Sequence, residues 1–290
     1  MHGRENEEVD WSQMRYCLIA TDIDGTLLNE RHEVTPRTRA AVRELQRRNI
    51  PLVLTTARPA RAVQALYRQL ELSGPFIAYN GALVYDPDAA ETLFHHPIPL
   101  AIARRLLDCV RAVSPSLTVG LEMPDGWYLD RIDPHLQARI DAGLVEMMPT
   151  VCEVEKVLSE TAHGVNKLYF VASDAVRAAM EAHFVSQGLH THVAVTSSSA
   201  EWVEISAVGV DKGAAMEALA ARLGIPMENT LALGDGENDI PALQRAGLGI
   251  AMGHAPEQVR RAADVVTTSN TEDGWAAAIE RYVFAQSTTI

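Results

Sequence analysis

The chain has 290 residues, 47% of them hydrophobic, which allows one large or two modest domains with buried cores. Its net charge of −13 argues against a nucleic-acid or anionic-membrane partner. Cys17, Cys109 and Cys152 are too few and too scattered for a disulfide framework or a zinc site, and are read as thiols in a reducing compartment.

The charged segment 1–16 lacks the apolar stretch of a signal peptide and is read as a flexible leader. No apolar run is long enough to span a bilayer, so a soluble, cytoplasmic protein is expected. The apolar run Cys17–Thr21 predicts a buried strand that releases into Asp22-Ile23-Asp24-Gly25-Thr26. Two carboxylates then stand at a strand's C-terminal end, where ligands bind in open α/β sheets, although Asp-Gly is also a common turn pair. Thr35 as N-cap and Pro36 at the first helical position open a helix with Ala41, Val42 and Leu45 on its apolar face. The strand Pro51–Thr55, the helix Pro59–Leu70 and the strand Phe76–Tyr79 extend a βαβαβ series, which builds a parallel sheet through right-handed crossovers. Within it, Thr55-Thr56-Ala57-Arg58 lies at a helix N-terminus, a position that favours phosphate, while Thr56 could equally be only an N-cap.

From Asp86 to Ala200 the pattern changes. A helix over Pro99–Val113 is followed by strands Leu117–Glu122 and Trp127–Asp130 joined as a hairpin, then strand Val165–Ala172, helix Ala175–Gln187 and strand His192–Thr196. This is an α+β insert with antiparallel pairing. His95, His96, His190 and His192 lack cysteine or carboxylate partners and are not read as a metal site, and Trp127, Tyr128 and Tyr169 read as sheet-packing aromatics. Glu201–Ser206 is expected to return the chain to the core.

Lys212 then opens a helix, where a cation opposes the dipole by about 0.3–1 kcal/mol, and such a local misfit points to function. After the strand Thr230–Leu233, the run Gly234-Asp235-Gly236-Glu237-Asn238-Asp239 crowds three acids together. They could simply complement a helix N-terminus, but the glycines beside Asp235 suggest a backbone in close approach to something. If both acidic clusters converge, their oxygen-only donors suit Mg²⁺. Ile240–Ala246, Leu248–Ala251, Glu257–Ala263 and Val265–Thr268 continue the alternation.

Taken in order, Asp22-Ile23-Asp24-Gly25-Thr26, Thr56-Ala57-Arg58, Val210-Asp211-Lys212-Gly213 and the 234–239 run resemble the haloacid dehalogenase-like hydrolase superfamily, more narrowly its Cof-type (subfamily IIB) phosphatases. The match covers nearly the whole chain and is supported by Tyr79-Asn80-Gly81-Ala82, the segment 249–253 and Glu272-Asp273-Gly274-Trp275. Ala57 stands where the branch usually has Gly, and His254 where it often has Asn.

The resemblance implies an α/β fold: a Rossmann-like parallel sheet core flanked by helices, over 17–85 and 201–290, with an inserted α+β cap of type IIB over 86–200. It implies Mg²⁺-dependent hydrolysis of a small phosphorylated metabolite, a sugar phosphate or a phosphorylated cofactor. Asp22 would be the nucleophile that forms an aspartyl-phosphate, and Asp24 the proton shuttle, its side chain free because only its carbonyl ligates metal. Asp22, the Asp24 carbonyl and Asp235 would hold Mg²⁺, with Asp239 fixing Lys212 or metal-bound waters. Thr56, Lys212 and the N–H groups of Ile23 and Ala57 would stabilise the phosphoryl oxygens, with Asn238 reaching the phosphate and Arg58 and Asn80 contacting substrate. A phosphomutase of the phosphomannomutase type, or an idle metabolite-binding protein of the same fold, remain alternatives. The substrate, and whether the protein is a monomer or a weak dimer, stay open.

Overall fold

The computed structural model describes residues 16–124, 126–142, 145, 147–197 and 202–285. The expected leader lies outside these residues except for Tyr16, which is not flexible but buried in the core beside the first strand.

The chain opens with β1 (Leu18–Thr21), α1 (Pro36–Arg47), β2 (Leu52–Leu54), α2 (Ala60–Gln69) and β3 (Phe76–Ala78). As the sequence predicts, Thr35 caps α1, its hydroxyl accepting from Thr38 N at 3.1 Å, with Pro36 directly behind it. β4 (Leu83–Asp86) and β5 (Glu91–His95) then fold back on β3 as an antiparallel meander. The insert follows: α3 (Leu100–Val113), β6 (Val119–Met123), β7 (Gly126–Leu129), α4 (Pro134–Asp141), β8 (Thr150–Val151), α5 (Val154–Glu160), β9 (Lys167–Val171), α6 (Asp174–Ser186), β10 (Val193–Ser197) and β11 (Trp202–Ala207). The last stretch is α7 (Lys212–Arg222), β12 (Thr230–Gly234), α8 (Ile240–Arg245), β13 (Leu248–Ala251), α9 (Glu257–Ala262), β14 (Val265–Val266) and α10 (Gly274–Ile279).

The core sheet has the order β14-β13-β12-β1-β2 and is parallel throughout, with Thr55 bridging to Ile77 to bring β3 alongside β2. Helices cover both faces. Leu45, Val63, Trp275 and Ile279 pack with Ile19 and Leu231 in one buried cluster, while Met216, Leu219 and Leu243 pack with Leu18 and Ala232 in another. Alternate strand residues therefore face opposite layers, the pattern of a sheet buried on both sides.

The cap carries its own six-stranded sheet, β10-β11-β9-β6-β7-β8, antiparallel except between β7 and β8. Leu121, Leu168, Phe170 and Ile205 pack on one face against Leu106, Val110 and Phe184 of α3 and α6. Two expected boundaries differ. The expectation places Glu201–Ser206 in the core, yet Trp202–Ala207 pairs with β10 and β9, because its alternating apolar residues Val203 and Ile205 complete the cap's buried face. Conversely, β5 pairs with β4, whose Val84 is buried in the core and packs with Leu93, so the cap begins near Ile98 and not at Asp86. His190 lies in a 3-10 turn and His192 just before β10, so neither is on a strand.

Candidate active site

Register brings the reactive groups together. Thr21 pairs with Leu233 on one side and Leu54 on the other, so Asp22, Asp235 and Thr56 all stand just past the ends of adjacent parallel strands. Asp22 N donates to Leu233 O at 2.9 Å and Thr55 N to Thr21 O at 2.7 Å, continuing the ladders to the edge of the site. Gly25 has φ +80°, and a Cβ there would collide with the Asp235 carboxylate. The glycine thus permits both the turn and the close approach of the two acidic loops.

Lys212 enters from the first turn of α7 and is fully buried. Its Nζ donates to Asp22 Oδ1 at 2.5 Å and to Asp239 Oδ1 at 2.6 Å. An unpaired ammonium there would cost several kcal/mol, far more than the ~1 kcal/mol of helix-dipole repulsion, so the two carboxylates decide its placement. Asp239 is saturated: its Oδ2 accepts from the N–H groups of Asp235 at 3.0 Å and Gly236 at 2.9 Å. Asp235 accepts from the Thr26 hydroxyl at 2.7 Å and has His254 Nε2 3.5 Å from its other oxygen.

Three carboxylates thus face one ammonium. Burial pushes the Asp22 carboxyl well above the usual carboxylate range, against the pull of Lys212 and with Asp239 adding repulsion. Asp235 is raised too, by burial first, with the Thr26 hydroxyl opposing. Burial works to lower the Lys212 ammonium, yet Asp22 and Asp239 carry it above the ordinary lysine value. Carboxylate oxygens of Asp22, Asp235 and Asp239 lie within 4.8 Å of one another. An excess of buried negative charge with oxygen-only donors fits a hard divalent cation.

Arg58 has a partner within the site that the sequence did not indicate. It donates from Nε and Nη2 to the two oxygens of Asp24, at 2.7 and 2.5 Å, so the Asp24 side chain is not free, and His32 Nδ1 stands 3.5 Å from the same carboxylate. The planar guanidinium matches that carboxylate in a bidentate pair. Thr56 is buried and its hydroxyl accepts from Arg58 N at 3.1 Å, while Ala57 beside it is half-buried. Ile23 is buried directly after Asp22. Asn238 Nδ2 donates to Asn80 Oδ1 at 2.9 Å, linking the second acidic loop to the turn after β3.

Tyr79 and Asn80 have φ of +52° and +56°, with Gly81 at +106°. Non-glycine residues pay about 1–3 kcal/mol in such backbone and persist where the surroundings over-determine them. Here Tyr79 N donates to Arg58 O and Asn80 N to Thr56 O, clamping this turn to the Thr56 loop. Sequence reasoning gave no role to Thr26, although it lies within the first acidic motif, and left His254 without one; both now stand beside Asp235.

The sequence profile of a family described as haloacid dehalogenase-like hydrolase matches residues 19–279. The chain is 29% identical over 269 residues to the 5-amino-6-(5-phospho-D-ribitylamino)uracil phosphatase YitU of Bacillus subtilis, covering 91% of this chain and 97% of that one. It is likewise 29% identical over 267 residues to the pyridoxal phosphate phosphatase YbhA of Escherichia coli, covering 89% and 96%. Among solved structures, a haloacid dehalogenase-like hydrolase from Bacteroides thetaiotaomicron superposes with a TM-score of 0.80 at 30% identity, over 92% of this chain and 99% of the other. The chain belongs to the haloacid dehalogenase-like hydrolase family and is an enzyme, a phosphoric monoester hydrolase of its Cof-type branch.

Proposed function

We propose that the protein is a Mg²⁺-dependent phosphatase that hydrolyses a small phosphorylated metabolite, a sugar phosphate or a phosphorylated cofactor, through phosphorylated Asp22. The observation that carries this reading is the convergence of Asp22, Asp235, Asp239 and Lys212 from three separate segments at the strand ends. The small phosphorylated compounds named for YitU and YbhA support the substrate class.

In the first half-reaction a carboxylate oxygen of Asp22 attacks phosphorus, and the ester P–O bond breaks as a proton passes from Asp24 to the leaving oxygen. In the second, water attacks the acyl phosphate, its proton passes to Asp24, and phosphate leaves. Arg58, paired with Asp24, orients that carboxyl group and must slacken when it carries the proton. Lys212, the Thr56 hydroxyl and the N–H groups of Ile23 and Ala57 stabilise the phosphoryl oxygens, and the Asn80–Asn238 pair borders the same opening. Asp22, the Asp24 carbonyl and Asp235 would hold Mg²⁺, which offsets repulsion between nucleophile and phosphate when bound. Asp239, already committed to Lys212 and two N–H groups, orients the site around them.

Phosphate release from a panel of phosphorylated sugars, polyols and cofactors, with and without Mg²⁺, tests this reading. Full turnover in excess chelator excludes the metal, and an isomeric phosphate ester without free phosphate assigns the protein as a mutase.

A further inference from the structure

Core and cap meet at a buried ion pair that the chemistry above does not use. Arg61, in the first turn of α2 and three residues beyond Arg58, donates from Nη2 to Glu122 Oε2 of the cap strand β6 at 2.6 Å. Their side chains are 19% and 7% exposed. The Arg61 guanidinium also lies 6.0 Å from the ring centroid of Trp127 on β7, and its Nη1 lies 3.5 Å from the Tyr79 hydroxyl. Trp127 is fixed in turn by donating to Tyr169 Oη at 2.6 Å. Burial pushes the Glu122 carboxyl up, and Arg61 and then Lys167 pull it back.

We propose that Arg61 and Glu122 are positioning residues that hold the cap shut over the reaction centre. The partners belong to different domains, joined on one side through His96 and Pro97 and on the other through 208–211, where Gly209 has φ +77° and open space around it. When the domains part, both charges regain water. Deleting Glu122 therefore leaves Arg61 buried without its carboxylate only in the closed state, and the penalty falls on closure more than on folding. Asn166 of the cap, 1% exposed, also accepts from His95 Nε2 of the core strand β5 at 2.6 Å, a second polar contact across the junction.

A matched control lies close by. Lys167 Nζ donates to Glu204 Oε1 at 2.7 Å, a pair equally buried but wholly within the cap sheet, opposite Glu122 in register. Its loss weakens the cap without penalising closure.

The test uses the full chain labelled with 5-fluorotryptophan, with the Trp127 resonance assigned by Trp127→Phe. Cap opening is read as the solvent-isotope shift of that resonance, and turnover as kcat/KM for p-nitrophenyl phosphate, the second readout resting on the phosphatase reading. Glu122→Gln keeps shape and leaves Lys167 paired with Glu204. It is expected to raise the isotope shift and lower kcat/KM by roughly tenfold, as a closed population is lost, while the R61E/E122R charge swap restores both. If Glu122→Gln fails to fold, Arg61→Gln replaces it, Glu122 then keeping Lys167 beside it. A folded Glu122→Gln protein with unchanged isotope shift and unchanged kcat/KM overturns the latch, and so does a Lys167→Gln protein that opens to the same extent. Absence of any phosphate release by the parent would sink the phosphatase reading alone, because the isotope shift still reports closure.

Discussion

Asp22 is asked to be both a buried charge and a nucleophile, and its surroundings separate the two demands. Replacing it with Asn removes a charge from the crowded site while Lys212 keeps Asp239 as partner, so the fold should persist as turnover falls to background. Wild-type-like phosphate release from purified Asp22→Asn would remove the covalent route. Asp24→Asn should lower kcat by about 10²–10⁴-fold, the usual worth of a positioned acid–base group, because an amide can neither give nor take the proton. The raised carboxyls of Asp22, Asp235 and Glu122 also fix the sign of a pH effect. A carboxyl raised on folding makes the folded chain bind more protons, so in chelator Tm should climb as pH falls from neutrality through the folded-state values. The gain should level off below the ordinary carboxylate range, each tenfold rise in a carboxyl's proton affinity on folding being worth about 1.4 kcal/mol. Adding Mg²⁺ at neutral pH should remove the share of Asp22 and Asp235. A Tm that falls steadily over that interval in chelator would contradict the burial of these groups as free acids.

At the scale of elements, the site is a consequence of strand ends in register, and most of it was legible. Cys17–Thr21 and Thr230–Leu233 read as buried strands from their unbroken apolar runs, and each released into its acidic loop where the parallel ladder ends. Lys212 was legible because it breaks the helix-dipole preference. Arg58 was not: local sequence shows a cation beside a phosphate-like loop but not the carboxylate across the loop at Asp24, which only the packing of two crossovers brings within reach. β11 was misplaced for a related reason. Its alternation of Val203 and Ile205 identifies a strand with one buried face, and the choice of sheet depends on long-range pairing with β9 and β10. Gly25→Ala tests how tightly the elements interlock. With φ at +80° and the Asp235 carboxylate in the way of a Cβ, the substitution should cost about 1–3 kcal/mol of stability. It should weaken Mg²⁺-dependent turnover further by separating the two acidic loops. A Gly25→Ala protein with unchanged Tm and metal response would mean the loops do not touch as described.

For the molecule as a whole, the acidity that argued against polyanionic partners has its counterpart inside the site, where positive charge is concentrated on Lys212 and the cation that Asp22 and Asp235 would hold. Among the described residues no helix is long and apolar enough to cross a membrane. The cap has its own sheet and its own buried apolar cluster, so it can change while the core sheet stays intact. Glu122, Trp127 and Lys167 lie on strands whose opposite face is sealed by α3 and α6, and Glu122 faces the core through Arg61. A leaving group held between the domains would therefore meet cap side chains, while its phosphoryl group meets only core residues. Exchanging residues 98–207 for the cap of another Cof-type enzyme should then reorder the preference among phosphosugars and phosphorylated cofactors. Turnover of p-nitrophenyl phosphate, which offers the cap little to recognise, should persist through Asp22, Asp24 and Lys212. The exchange must include β11, because a graft ending at residue 200 would leave Val203 and Ile205 without the sheet they complete. A folded chimera that kept the parent's ranking of substrates would place selection in the core, with the Asn80–Asn238 pair at the strand ends as the next residues to vary.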